Sequence, residues 1–85
     1  MKEVRFTVKD PNGIHARPAG ALVKLIKAFE SKVTVFKGDK NTDMKKVLSL
    51  MGLGIKQGDQ ILCRIEGFDE EACAAALEQS LQEMF

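Results

Sequence analysis

The chain has 85 residues, of which 45% are hydrophobic and 29% charged, with a formal net charge of +1. That composition suits one globular domain and excludes a disordered chain. A domain this small buries only about 60–65% of its unfolded surface, which leaves little interior for a deep catalytic cavity. No stretch approaches the roughly 20 apolar residues of a membrane span. The opening MKEVRFTVKD has no apolar run of signal-peptide length, so a cytoplasmic protein with no direct membrane insertion is expected.

Residues 2–8 alternate, with Val4, Phe6 and Val8 on one side and Glu3, Arg5 and Thr7 on the other, which predicts a strand with one buried face. Asp10-Pro11-Asn12-Gly13 reads as a turn. A helix is expected from about Ala16 to Phe29, where Ala19, Leu22, Val23, Ile26 and Phe29 recur at helical spacing. Pro18 confines the start of that helix to residue 15 or 16, because proline is tolerated only in the first turn. Residues 32–37 read as a strand with Val33 and Val35 facing inward, Gly38-Asp39 as a turn, and residues 40–43 as a short strand. Val47 to Met51 reads as a short helix. Residues 60–66 alternate around Ile61, Cys63 and Ile65. A last helix is expected from about Asp69 to Met84, with Cys73, Ala76, Leu77, Leu81 and Met84 as its apolar stripe. Asp69, Glu70 and Glu71 suit the positive end of that helix. Each strand has one apolar face and each helix one apolar stripe, so helices should cover a single face of an antiparallel sheet.

Cys63 and Cys73 are the only cysteines, in a strand and a helix respectively, and read as buried thiols. With one histidine and no CxxC pair, no metal site is expected. The charge is unevenly spread. Residues 1–58 carry 12 Lys or Arg against 5 Asp or Glu, and residues 59–85 carry 1 against 7. The basic part can steer an acidic protein surface. Nucleic acid is not expected as a partner, because the basic residues are scattered and no Trp or Tyr is present to stack on bases.

His15 is the single histidine, and it stands where the turn ends and the first helix begins, two residues before Arg17. Free backbone N–H groups at a helix start form a site for phosphate. The positive helix end and Arg17 both oppose protonation of the imidazole, which favours the neutral ring a nucleophile needs. The same groups stabilise a negative group during and after transfer. The residues alone leave two readings open: a phosphoryl acceptor, or a weak cap beside a solvated arginine.

Gly13-Ile14-His15-Ala16-Arg17-Pro18-Ala19 resembles the active-site segment of the HPr family, the histidine-containing phosphocarriers of the bacterial phosphoenolpyruvate–sugar phosphotransferase system. The likeness extends over the whole chain in length, element order and the stretch Leu50-Met51-Gly52-Leu53-Gly54-Ile55. It implies a single domain over residues 1–85 with an α+β open-faced β-sandwich fold, β-α-β-β-α-β-α, whose four-stranded antiparallel sheet carries three helices on one face. It also implies that His15 receives a phosphoryl group on Nδ1 from enzyme I and gives it to an enzyme IIA. Arg17 and the backbone N–H groups of Ala16 and Arg17 would bind that group. Such a protein is a monomeric phosphoryl-transfer intermediate rather than a turnover enzyme, and needs no cofactor.

The family docks partners through apolar residues on this short helix, so Val47, Leu48 and Met51 read either as core or, with one or two of them exposed, as docking residues; Lys24 and Lys27, on the polar side of the first helix, read either as a solvated face or as charges that steer the chain toward acidic enzyme I. One departure stands out. Where many members have a lysine followed by a regulatory serine, this chain has Lys45 followed by Lys46, and Ser49 lies one turn further in. The competing reading is a regulatory binding module of the same fold, or a nitrogen-type phosphotransfer carrier, acting through protein complexes. A free-standing hydrolase is disfavoured, because no second acid, base or metal set lies near His15 in sequence.

Overall fold

A computed structural model of residues 1–85 shows seven elements in chain order: β1 (Lys2–Thr7), α1 (Ala16–Ile26), β2 (Lys32–Lys37), β3 (Lys40–Asp43), α2 (Val47–Gly52), β4 (Gln60–Glu66) and α3 (Glu70–Met84). The strands form one antiparallel sheet in the order β1-β4-β2-β3. The alternation seen in sequence sets the register. Val4 lies opposite Cys63, which lies opposite Val35 on its other side, so three inward residues form one row. Shifting a strand by one residue would turn this row out to water.

Val4, Val33, Val35, Ile61, Cys63 and Ile65 are buried beneath the helices, together with Ala19, Leu22, Val23 and Ile26 of α1 and Cys73, Leu77 and Leu81 of α3. Fully burying one Leu or Ile side chain stabilises the fold by roughly 1.5–3 kcal/mol. The opposite face of the sheet is open. There Arg64 lies 5.0 Å over the Phe36 ring and 3.4 Å from Glu3.

The first helix is shorter than its apolar spacing predicts. It ends at Ile26, not Phe29, because the chain tightens to bonds three residues apart: Ala28 N–H to the Leu25 carbonyl (3.2 Å) and Phe29 N–H to the Ile26 carbonyl (3.1 Å). The Glu30 and Ser31 amides then donate to Asp69 at 2.9 and 3.0 Å, which carries the chain away from the helix axis into β2. Phe29 still packs on the core, but only half-buried. Asp69 stands at the N-cap of α3 without capping it through its side chain, since its carboxylate is spent on residues 30 and 31. Of the expected α3 stripe, Ala76 and Met84 are half-buried, while Ser80 is buried.

Both cysteines are free and buried. Burial pushes the Cys63 thiol up to about 12, and burial, with Asp69 adding to it, raises that of Cys73. Both behave as small apolar side chains rather than nucleophiles.

Candidate functional site

The turn before α1 is held from three directions. Asp10 Oδ1 accepts the Asn12 N–H at 2.8 Å, and the Gly13 N–H donates to the Asp10 carbonyl at 2.9 Å, closing the turn on itself. The Lys9 and Asp10 amides donate to the Phe85 carbonyl at 2.7 and 2.8 Å, tying the turn to the end of the last helix. The Ile14 N–H donates to the Ile55 carbonyl at 3.1 Å, and Ile14 itself is buried. Gly13 is required at this junction. Its φ is +64°, and a Cβ there would run into the Ile55 carbonyl oxygen and come within 2.8 Å of Lys56 Cα.

This anchoring delivers His15 in an extended conformation (φ −118°, ψ 168°) as the N-cap of α1. Its ring does not cap the helix. The side chain is 40% exposed, with Nε2 at 3.3 Å from Asp10 Oδ2. The Phe85 ring meets it edge-on, with centroids 6.4 Å apart and planes at 85°. The Asn12 amide, and after it the His15 side chain, hold the Asp10 carboxyl below the usual carboxylate range, so Asp10 is ionised at neutral pH.

The amides of Ala16 and Arg17, the first two helical residues, have no intrahelical acceptor, Pro18 has no N–H, and the Ala19 N–H is taken by the His15 carbonyl at 2.9 Å. No acidic residue lies in this first turn. Arg17 is exposed and pairs with no carboxylate. The start of α1 therefore offers two free amides, an unpaired guanidinium and a half-exposed imidazole, an arrangement suited to an anion.

His15, Ala16 and Arg17 thus come together at one helix end. Lys24 and Lys27 are exposed further along the same segment, Lys27 as the C-cap of α1. On α2, which packs against α1, Leu48 is 84% exposed, while Val47 and Met51 are half-buried against the core. Lys46 is the exposed N-cap of α2, again without a side-chain cap. Lys45 instead points inward, its Nζ donating to the Phe29 carbonyl at 2.7 Å.

Sequence reasoning missed two members of the site, Asp10 and Phe85. The Asp-x-Asn pattern is a signal for the first, because an Asp side chain at a turn start bends back onto the amide two residues on. No such local signal marks Phe85. No group of three His, Cys, Asp or Glu side chains converges to hold a metal ion. The largest surface depression, about 650 Å³, lies between β1 and α3 and is lined by residues such as Lys2, Glu71 and Glu78, away from His15. Neither surface depression of the molecule includes His15.

Comparison with known proteins agrees with this geometry. The family model described as the PTS HPr component phosphorylation site matches residues 2–83. A phosphocarrier protein HPr of Lysinibacillus sphaericus is 45% identical over 84 residues, covering 99% of this chain and 96% of its own. That of Mycoplasma pneumoniae is 40% identical over 83 residues, covering 96% of this chain and 94% of its own. Among solved structures, an HPr from Thermoanaerobacter tengcongensis superimposes with a TM-score of 0.93 at 36% identity, over all of this chain and 96% of its own. A mycoplasma histidine-containing phosphocarrier protein gives the same TM-score at 28% identity, over 96% of this chain and 93% of its own. A half-exposed histidine on an uncapped helix, a four-stranded sheet under three helices and these likenesses lead to one conclusion: the chain belongs to the HPr family, the histidine-containing phosphocarriers of the phosphotransferase system.

Proposed function

We propose that this chain, acting in the cytoplasm, accepts a phosphoryl group from phosphorylated enzyme I on His15 Nδ1 and passes it to an enzyme IIA. The observation that carries this reading is a half-exposed His15 at the N-cap of α1, followed in the first turn by two free amides and the unpaired Arg17. In the acceptance step the Nδ1 lone pair forms the new N–P bond. The bond from phosphorus to the donor's leaving atom breaks, and that atom keeps the electron pair. The group that arrives carries roughly −2. The Ala16 and Arg17 amides and the Arg17 guanidinium offset that charge on a helix end that no carboxylate of its own occupies. Donation to enzyme IIA reverses these steps against a new acceptor.

The test is to mix the chain with phosphoenolpyruvate, magnesium and enzyme I. One acid-labile phosphate per chain is expected, and none on His15→Ala. An unlabelled wild-type chain would favour the regulatory binding module.

Docking falls to the surface around the site. Leu48 supplies an exposed apolar contact with Val47 and Met51 at its edge, and Lys24 and Lys27, exposed at the C-terminal end of α1, attract acidic partners. Lys46 stands at the position that the family resemblance gives to a regulatory serine. A lysine cannot be phosphorylated by a serine kinase, and it places +1 where phosphoserine would place roughly −2. This carrier is accordingly expected to take no stoichiometric label from an HPr serine kinase and ATP; labelling of Ser49 or any other serine would defeat that expectation.

A further inference from the structure

We infer that Asp10 is a positioning residue that fixes which nitrogen of His15 is the nucleophile, an inference that rests on the phosphoryl-acceptor reading of His15. A carboxylate has no hydrogen to give. Its approach to within 3.3 Å of Nε2 therefore requires the ring hydrogen on Nε2. In the neutral imidazole this leaves the lone pair on Nδ1, the ring atom turned away from Asp10.

Asp10 is built to hold that position. Its backbone N–H is bound by the Phe85 carbonyl (2.8 Å) and its backbone carbonyl by the Gly13 N–H (2.9 Å). Oδ1 is taken by the Asn12 N–H (2.8 Å), so Oδ2 alone is left to face the ring. Phe85, edge-on to the imidazole, limits its rotation from another side.

The same contact serves the product. When Nδ1 forms its bond to phosphorus and the donor's leaving atom departs with its electron pair, no proton moves. Nε2 keeps its hydrogen and the ring becomes cationic. The Asp10 carboxylate then faces a positive ring through a charge-assisted hydrogen bond stronger than the one it made to the neutral ring. Asp10 thereby favours the phosphorylated state as well as the reactive tautomer.

Two variants separate this role from mere support of the turn. In Asp10→Asn the side-chain carbonyl still accepts the Asn12 N–H, so the turn is kept, but the amide NH₂ now faces Nε2. A donor at that place calls for a bare Nε2 and moves the ring hydrogen to Nδ1, blocking the nucleophile. Asp10→Ala removes both contacts and leaves the tautomers free to mix.

Long-range proton–nitrogen correlation spectra of the neutral ring are expected to place the hydrogen on Nε2 in the wild type, on Nδ1 in Asp10→Asn, and on both in Asp10→Ala. With phosphorylated enzyme I as donor, kcat should fall more than tenfold in Asp10→Asn and about three- to tenfold in Asp10→Ala, with KM for the donor unchanged in both. The proposal is overturned if Asp10→Asn keeps the wild-type kcat, if its ring hydrogen stays on Nε2, or if Asp10→Ala is slower than Asp10→Asn, since support of the turn would then account for the residue. A wild-type chain that takes no label at all would instead overturn the carrier reading, and the spectra would still report on Asp10.

Discussion

The two long helices begin in opposite ways. The start of α3 is filled with its own acid: Asp69 stands at the N-cap, Glu70 and Glu71 lie in the first turn, and Glu70 both accepts the Gly67 N–H at 3.2 Å and pairs with the chain's amino terminus. The start of α1 has no acid, no side-chain cap and a cation two residues in. Every helix presents a partial positive charge at its N-terminus. One of these ends is neutralised from within and the other is left for something to bind. The contrast teaches that the open end of α1 forgoes stability, because ordinary capping residues there would serve stability better.

The largest expected effect comes from closing that end. His15→Ser should abolish acid-labile labelling entirely while raising stability. A serine N-cap can accept the Arg17 amide but finds no N–H on Pro18, so the gain is about 0.5 kcal/mol, at the low end for a cap, or roughly 2–4 °C in Tm for a domain this size. Labelling and thermal melts on the same sample read both halves of that trade.

Next comes Arg17→Glu, which gives α1 the acidic first turn of α3. Phosphoryl acceptance should slow by on the order of a hundredfold or more, while Tm stays level or rises. A variant that transfers at the wild-type rate would end the argument from charge at this helix start.

The smallest effect concerns the acidic end. The Ser31 hydroxyl, then the Glu30 amide, lower the Asp69 carboxyl below its ordinary 3.8. A depressed folded value means that this stabilisation is fully present above 3.8 and is lost as pH falls through the lower folded value. Asp69→Asn should therefore lower Tm at pH 7 and flatten its decline as pH falls below 3.8. Phosphoryl acceptance at neutral pH should be unaffected so long as the variant is folded.

Much of this is legible in the sequence. Strict alternation in residues 2–8 and 60–66 marks strands because it has the period of a pleated sheet, and Pro18 limits where α1 can start because it has no amide to give. His15 and Arg17 stand out because their chemistry and the helix start coincide in sequence. What escaped that reading lacks a period. The Asp69 carboxylate reaches amides 38 and 39 residues away, a contact made by packing and not by spacing. Met44 is fully buried in the link between β3 and α2, where neither helical nor strand alternation applies. Phe85 reaches His15 only because α3 runs back beside the first turn.

Pro18 leaves a last consequence. By occupying the third position of α1 it removes one donor from a cradle that would otherwise hold three. A relay protein must let go of its cargo as readily as it takes it. On the reading proposed above, a grip made of two amides and one exposed guanidinium would keep the loaded and empty states close in energy, so that the next partner in line would decide the direction of flow.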